Sequence, residues 1–272
     1  MLKPISVAVQ YYAFLLYKCI TPLWLQAPFS TRCSPAHFLK VVSKHVLTNE
    51  AKVDALKDVG FGDLLKLCTP ILQIQLCKWI CVHFDFAYSR LEVGVGKNFI
   101  KFEESDVHQI LGIPQGDTAV NVEGPWVDIQ DMAADFGLQN VKGKTTSWNQ
   151  ILGFIKEDRS DGVFVRAFII YSMAVLLAPT SRREIRLQFL HSLRDCSKIK
   201  SLNWCQYVHR STVNGIKKWR QARGREGNRR TYAAGCMYVL MVWEIFPLLI
   251  NILILKKRWQ RVSTSTAIVV IF

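Results

Sequence analysis

Acidic side chains are scarce in this chain: 21 Asp and Glu stand against 35 Lys and Arg, a formal net charge of +14. Such an excess attracts nucleic acid or an anionic membrane surface without specifying a fold or a base sequence. No two of the eight cysteines form a CxxC pair, which removes the usual turn-borne zinc ligands and the thioredoxin-like redox motif. Spread over 272 residues, with no clean secretory start, the cysteines read as free buried thiols of a reducing compartment rather than a disulfide framework. GxSxG and HExxH are absent, and GVGKN at 94–98 lacks the spacing of a phosphate-binding loop. There is no internal repeat and no low-complexity tract. The 50% apolar content is ample for a large core, so disorder is not expected.

The two ends are apolar. Residues 5–25, ISVAVQYYAFLLYKCITPLWL, form a poor leader or anchor, because Gln10 and Lys18 interrupt the run. Residues 237–255, MYVLMVWEIFPLLINILIL, are long enough to cross a bilayer, but Glu244, Pro247 and Asn251 lie inside. One central carboxylate costs roughly 2.5–3.5 kcal/mol on an insertion scale. A buried core helix with an apolar tail is therefore the expectation, and a membrane anchor the alternative.

Between these ends the pattern is mainly α: an irregular helical bundle with one small β-hairpin. Ser34-Pro35 opens a helix whose Phe38, Val41, Val42, His45 and Val46 share a face. Asn49 caps a second helix with Val53 and Leu56, ended by Gly60. Pro70 starts a third, with Leu72, Leu76, Trp79, Ile80 and Phe84 inward. RLEV (90–93) and NFIKF (98–102) flank Gly94 and Gly96 as a hairpin. A weak helix is expected at 128–136. Thr145 or Thr146 caps the next, which carries Trp148, Ile151, Leu152 and Ile155. Asp161 caps a long segment that is apolar nearly all round and stops at Pro179, the predicted centre of the core. Trp204, Tyr207, Val208, Ile216 and Trp219 mark a helix over 202–220. QARGREGNRR, 221–230, is a loop, and Thr231 caps a last helix through 246.

ESDVHQILGIPQG, residues 104–116, clusters carboxylates and a histidine. Glu103, Glu104 and Asp106 fall in the first turn of a short helix, where free N–H groups and the helix dipole favour negative charge. Gly112 and Pro114 end it. Asp106 and His108, two positions apart, point about 200° away from one another, which argues for a helix start over a metal site, with His108 on the solvent side. Cys77 and Cys81 share a face, but His83 is off it and Cys68 is the only nearby fourth ligand, so buried thiols are the better reading there than zinc. No catalytic residue, no metal site and no cofactor is assigned. Arg166, within an apolar helix, is expected to reach the rim or pair with a carboxylate.

One stretch invites a functional reading. Between 182 and 230 lie fourteen basic residues against three acids, eleven of the net positive charges. Arg182, Arg183, Lys217, Lys218, Arg220, Arg223, Arg225, Arg229 and Arg230 are the candidate nucleic-acid contacts, with Arg186, Arg194, Lys198, Lys200 and Arg210 in the same stretch. Trp204, Tyr207 and Trp219 interleave with them, at a spacing that also suits a helix core. The alternative is a solvated basic face without a ligand.

Five blocks in order, TRCSPAHFLKVV, GFGDLLKL, ESDVHQILGIPQG, FVRAFIIYSMAVLLAPTS and HSLRDCSKIKSLNWCQYV, resemble plant transposon-derived proteins. The resemblance is to the aminotransferase-like plant mobile domain, similar to the segment upstream of a SUMO-type cysteine protease domain in many plant mobile-element proteins. It covers roughly residues 31–246, leaving 1–30 and 247–272 as segments that do not resemble the family. It implies a helical module of mobile-element origin without an established reaction. Together with the basic stretch, the expectation is a non-enzymatic module in the nucleus, contacting nucleic acid non-specifically through phosphates, or other proteins. No pyridoxal-phosphate lysine motif is present to carry over, and the protease domain is not expected in this chain. Where such sequences often place Thr to cap the short helix, this one has Glu103.

Overall fold

The computed structural model describes residues 29–68, 71–92, 99–138, 145–181, 184–223 and 232–243. The fold is mostly helical, with several small sheets rather than the single expected hairpin.

Helix α1 (Pro35–His45) begins with Pro in its first turn, where the missing N–H is no loss. Ser34 makes no side-chain cap; its N–H instead donates to the Val175 carbonyl at 2.9 Å. Phe38, Val41, Val42 and Val46 are buried. Helix α2 (Glu50–Asp58) is capped as expected, Asn49 Oδ1 accepting from the Lys52 N–H at 3.2 Å. Helix α3 (Ile74–His83) starts later than expected. Pro70 lies outside the described residues and Ile71 and Ile74 are exposed; Cys77, Lys78, Ile80 and Cys81 are buried, as is Phe84 just after the helix, while Leu72, Leu76 and Trp79 are half-buried against the core.

Helix α4 (Glu104–Leu111) follows, then the short α5 (Gln130–Ala134), behind a single tight turn at Trp126–Asp128. Helix α6 (Trp148–Lys156) packs along α7 (Gly162–Ser172). Thr145 and Thr146 do not cap α6: they belong to a strand, and Ser147 stands at the helix start. Asp161 caps α7 by accepting from the N–H groups of Val163 and Phe164, each at 3.1 Å. Phe164, Val165 and every residue from Ala167 to Ser172 are buried, so α7 is the centre of the core. The buried Ser172 hydroxyl donates to the Phe168 carbonyl at 2.7 Å and leaves no orphan. The helix then widens, the Ala178 N–H reaching the Met173 carbonyl five residues back at 2.8 Å. Pro179 ends the run. Arg166 donates to carbonyls, not a carboxylate: Nε to Leu193 at 2.9 Å and Nη2 to Arg194 at 3.1 Å. The last long helix, α8 (Trp204–Arg223), exceeds the expected end by three positions.

The strands are two or three residues long. β1 (Ser30–Thr31) runs parallel to β9 (Tyr232–Ala233). β2 (Phe84–Asp85), β3 (Arg90–Glu92) and β4 (Phe99–Lys101) form an antiparallel sheet with Leu91 opposite Ile100. β5 (Thr118–Ala119) lies parallel to β8 (Leu202–Asn203), and β6 (Thr145–Ser147) antiparallel to β7 (Glu184–Arg186). The expected hairpin is the β3–β4 pair; its turn at 93–98, with Gly94 and Gly96, lies outside the described residues. The β1–β9, β5–β8 and β6–β7 pairings tie remote segments together and satisfy backbone groups between helices.

Residues 237–243 are helical, and Met237, Tyr238, Val239, Leu240, Met241 and Trp243 are buried. Trp243 packs on Phe102 with ring centroids 5.2 Å apart. The start of the candidate membrane segment is thus core, and among the described residues no helix is long and apolar enough to cross a membrane. Thr231 and residues 244–255 lie outside the described residues, as do both segments read as unlike the family, apart from residues 29–30.

The Asp161 cap yields a first prediction. Asp161→Ala should cost about 1–2 kcal/mol in urea unfolding, the usual loss for such a cap. A hydrogen bond from Arg159, opposed by partial burial, holds the Asp161 carboxyl below its ordinary value. A folded-state pKa below the unfolded one stabilises at all pH above the unfolded value, and that contribution is lost as pH falls through the folded one. The gap between wild type and variant should therefore be constant near neutrality and close below about pH 4.

Candidate nucleic-acid interface

Helix α8 is divided lengthwise. Trp204, Cys205, Val208, Thr212, Ile216 and Trp219 are buried. Their spacing of three and four lays them along one face. Trp204 Nε1 donates to the Ile199 carbonyl at 3.0 Å, and Tyr207 packs edge-on against Phe189 with centroids 5.2 Å apart. Trp204 and Trp219 are therefore core rather than base-stacking rings, and Tyr207 is half-buried.

The opposite face carries Arg210, Asn214, Lys217, Lys218 and Gln221, all exposed. Arg210 and Lys217 are seven positions apart, so they lie nearly on one line, about 10 Å apart along the axis. Lys218 stands one step round the helix. No acidic residue occurs between Trp204 and Arg223. Arg210 is not one of the nine candidate contacts; its two-turn spacing from Lys217 is the sequence signal that places it beside them.

Arg220 sits on the flank and is engaged by the scaffold. Its Nη1 donates to the Phe84 carbonyl at 2.7 Å, and its guanidinium lies 5.1 Å from the Phe86 ring centre. Lys217 Nζ stands 5.9 Å from the same ring. Arg223 ends α8, its side chain not described, and Arg182, Arg183, Arg225, Arg229 and Arg230 lie outside the described residues. Arg186, on β7, and Arg194, Lys198 and Lys200, in the turns before α8, are exposed but belong to other elements.

The acidic cluster on α4 is scaffold. Asp106 Oδ2 accepts from the Glu103 N–H at 2.7 Å, the return half of a capping box in which Glu103 holds the N-cap position. Glu104 accepts from Asn203 Nδ2 at 3.1 Å and so joins α4 to β8. Burial pushes the Asp106 carboxyl up, against the lowering effect of the Glu103 N–H. His108 is exposed, and its Nδ1 lies 2.8 Å from the Ile113 carbonyl. Gly112 takes φ +62°, and a Cβ there would stand 2.3 Å from Asp63 Cβ, so only glycine fits. Among the described residues no three His, Cys, Asp or Glu side chains converge as metal ligands.

The thiols are mostly interior. Cys77 and Cys81 face Met237 across the core, and burial pushes Cys81 and Cys205 up to about 12. Such groups stay protonated at neutral pH and are poor nucleophiles. Cys33 departs from this: burial raises it, but hydrogen bonds from Cys236 and from the Tyr238 and Met237 backbone outweigh that and bring it below the usual thiol value. Cys68 is exposed and Cys196 half-buried, so not every described cysteine is interior.

Over residues 31–241 the chain matches the family described as Domain of unknown function (DUF8566). It belongs to that family. No curated protein and no solved structure matches it. The matched span runs from β1 to the helical residues after β9, so it takes in all of α8 and its cationic face.

Proposed function

We propose that this protein is a non-enzymatic helical module derived from a plant mobile element, acting in the nucleus by contact with nucleic acid through the solvent face of α8. The carrying observation is the cluster of Arg210, Lys217 and Lys218, exposed on one side of a helix with no acidic residue, in a chain of net charge +14. Cations so placed neutralise successive phosphates and release their counterions. Two features support the non-enzymatic part. The carboxylates of α4 are spent on helix capping and on Asn203, and the thiols of Cys77, Cys81 and Cys205 are held protonated in the core. A protein partner for the same face would have to present acidic groups.

Fluorescence anisotropy with a labelled duplex tests the reading. Three phosphate contacts give a log–log salt slope of about −3, and Lys217→Glu with Lys218→Glu should reduce it by about 2. Binding that ignores both salt and the double substitution overturns it.

A further inference from the structure

The β2–β3–β4 sheet has one face in the core. Phe84 and Leu91 are fully buried and Ile100 half-buried. By alternation Asp85, Arg90, Glu92, Phe99 and Lys101 take the outer face. Phe99 there and Tyr88, in the turn between β2 and β3, are exposed at 44% and 66%. The Arg90 guanidinium lies 4.0 Å from the Phe99 ring centre and 4.6 Å from that of Tyr88. Arg90 Nε donates to Asp85 Oδ2 at 3.1 Å, which fixes the guanidinium between the rings. Phe86, two residues before Tyr88 in the same turn, lies 5.1 Å from the Arg220 guanidinium and 5.9 Å from Lys217 Nζ on α8.

Large exposed rings ordered by an arginine form a prepared stacking surface. Bases within a duplex already have both faces covered, whereas an unpaired base offers its face to an aromatic ring whatever its identity. The cationic face of α8 supplies the phosphate contacts such a strand needs. Of the carboxylates facing the sheet, Asp85 is paired with Arg90 and Glu103 with Lys101, while Glu92 stands opposite Phe99 in the ladder. We propose that Tyr88, Arg90 and Phe99 form a base-stacking platform for single-stranded nucleic acid, whose backbone the α8 cations beside Phe86 would hold. This rests on the reading of α8 as the phosphate-contacting face and adds the class of strand that it takes.

Anisotropy with labelled deoxythymidine and uridine 15-mers, against a 15-base-pair duplex at one salt concentration, tests it. A single strand should bind more tightly than the duplex. Tyr88→Ala with Phe99→Ala should weaken single-strand binding at least about ten-fold and leave duplex binding unchanged. Tyr88→Leu with Phe99→Leu, which keeps apolar bulk without aromatic faces, should show the same loss, and unchanged thermal unfolding of both variants separates this from misfolding. A loss confined to the deoxy or the ribo strand names the strand. Duplex binding equal to or tighter than single-strand binding, or single-strand binding indifferent to both variants, overturns the platform. If Lys217→Glu with Lys218→Glu still weakens the duplex in that case, the α8 reading stands alone; no binding to any strand removes both. A dimer that the aromatic variants abolish would make the patch a protein contact and would also overturn the platform.

Discussion

Lys52→Met should cost about 3 kcal/mol, measured by urea unfolding at pH 7, though it conserves bulk and apolar stem. Lys52 is 3% exposed. Its ammonium donates to the His45 carbonyl at 3.1 Å and to the Ile155 carbonyl at 2.9 Å. These are the closing turns of α1 and α6, where carbonyls lack helical partners and the dipole is negative. One charge therefore joins two helix ends, and it stands 5.3 Å from the Phe164 ring centre of α7. Asn49 works beside it, its amide donating to Asp158 Oδ1 at 2.7 Å. Methionine would remove both charge-assisted bonds and strand both carbonyls away from water. Burial holds the Lys52 ammonium below its ordinary 10.5, opposed by Asp158 and Glu157. The folded protein therefore bears the cost of burying the charge at neutral pH and is relieved of it as pH rises through the lowered value. The gap between wild type and Lys52→Met should widen between that value and 10.5; a gap that narrows there would contradict the burial of a charged amine.

Lys52 also shows where the sequence stops being informative. Asn49, Asp161 and Gly112 announce helix ends because each acts on backbone within four residues, and local chemistry is what a sequence displays. The stripe of α1 and the all-apolar α7 are legible for the same reason. What places Lys52 inside is a carbonyl 103 positions away. The two-residue strands β1, β5, β8 and β9 pair as remotely, with Ser30 opposite Tyr232 and Thr118 opposite Leu202, and are too short to alternate visibly. Thr145 and Thr146 illustrate the ambiguity: β-branched hydroxyl residues suit a cap or a strand, and pairing with Ile185 and Arg186 decided for the strand. At the candidate site, the Trp204–Trp219 spacing gave the inner face of α8 and so, by subtraction, the outer one. The Tyr88–Arg90–Phe99 cluster had no such signal, because it exists only in the register that sets Arg90 against Lys101 and Glu92 against Phe99.

Gly215→Ala should destabilise by several kcal/mol, against the gain of about 1 kcal/mol that helix propensity alone gives this substitution. Gly215 lies inside α8, and a Cβ there would stand 2.1 Å from the Ala234 carbonyl oxygen and 2.6 Å from its carbon. The obstacle is backbone, which cannot rotate away as a side-chain tip can. The segment it would displace is held from several sides: Cys236 N–H donates to Thr212 Oγ1 at 2.9 Å, Gly235 N–H to the Pro179 carbonyl at 3.0 Å, and β9 pairs with β1. Moving the chain back from α8 would break these contacts and lift the buried Met237–Met241 run from Cys77 and Cys81. Hydrogen exchange should accelerate first at 237–243 and along the inner face of α8, while α6, packed along α7, keeps its protection. A Gly215→Ala protein more stable than wild type would mean that propensity governs and that Ala234 does not press on α8. The cationic face would then rest on a helix free to shift against the core, and the fixed line of Arg210 and Lys217 would lose its physical basis.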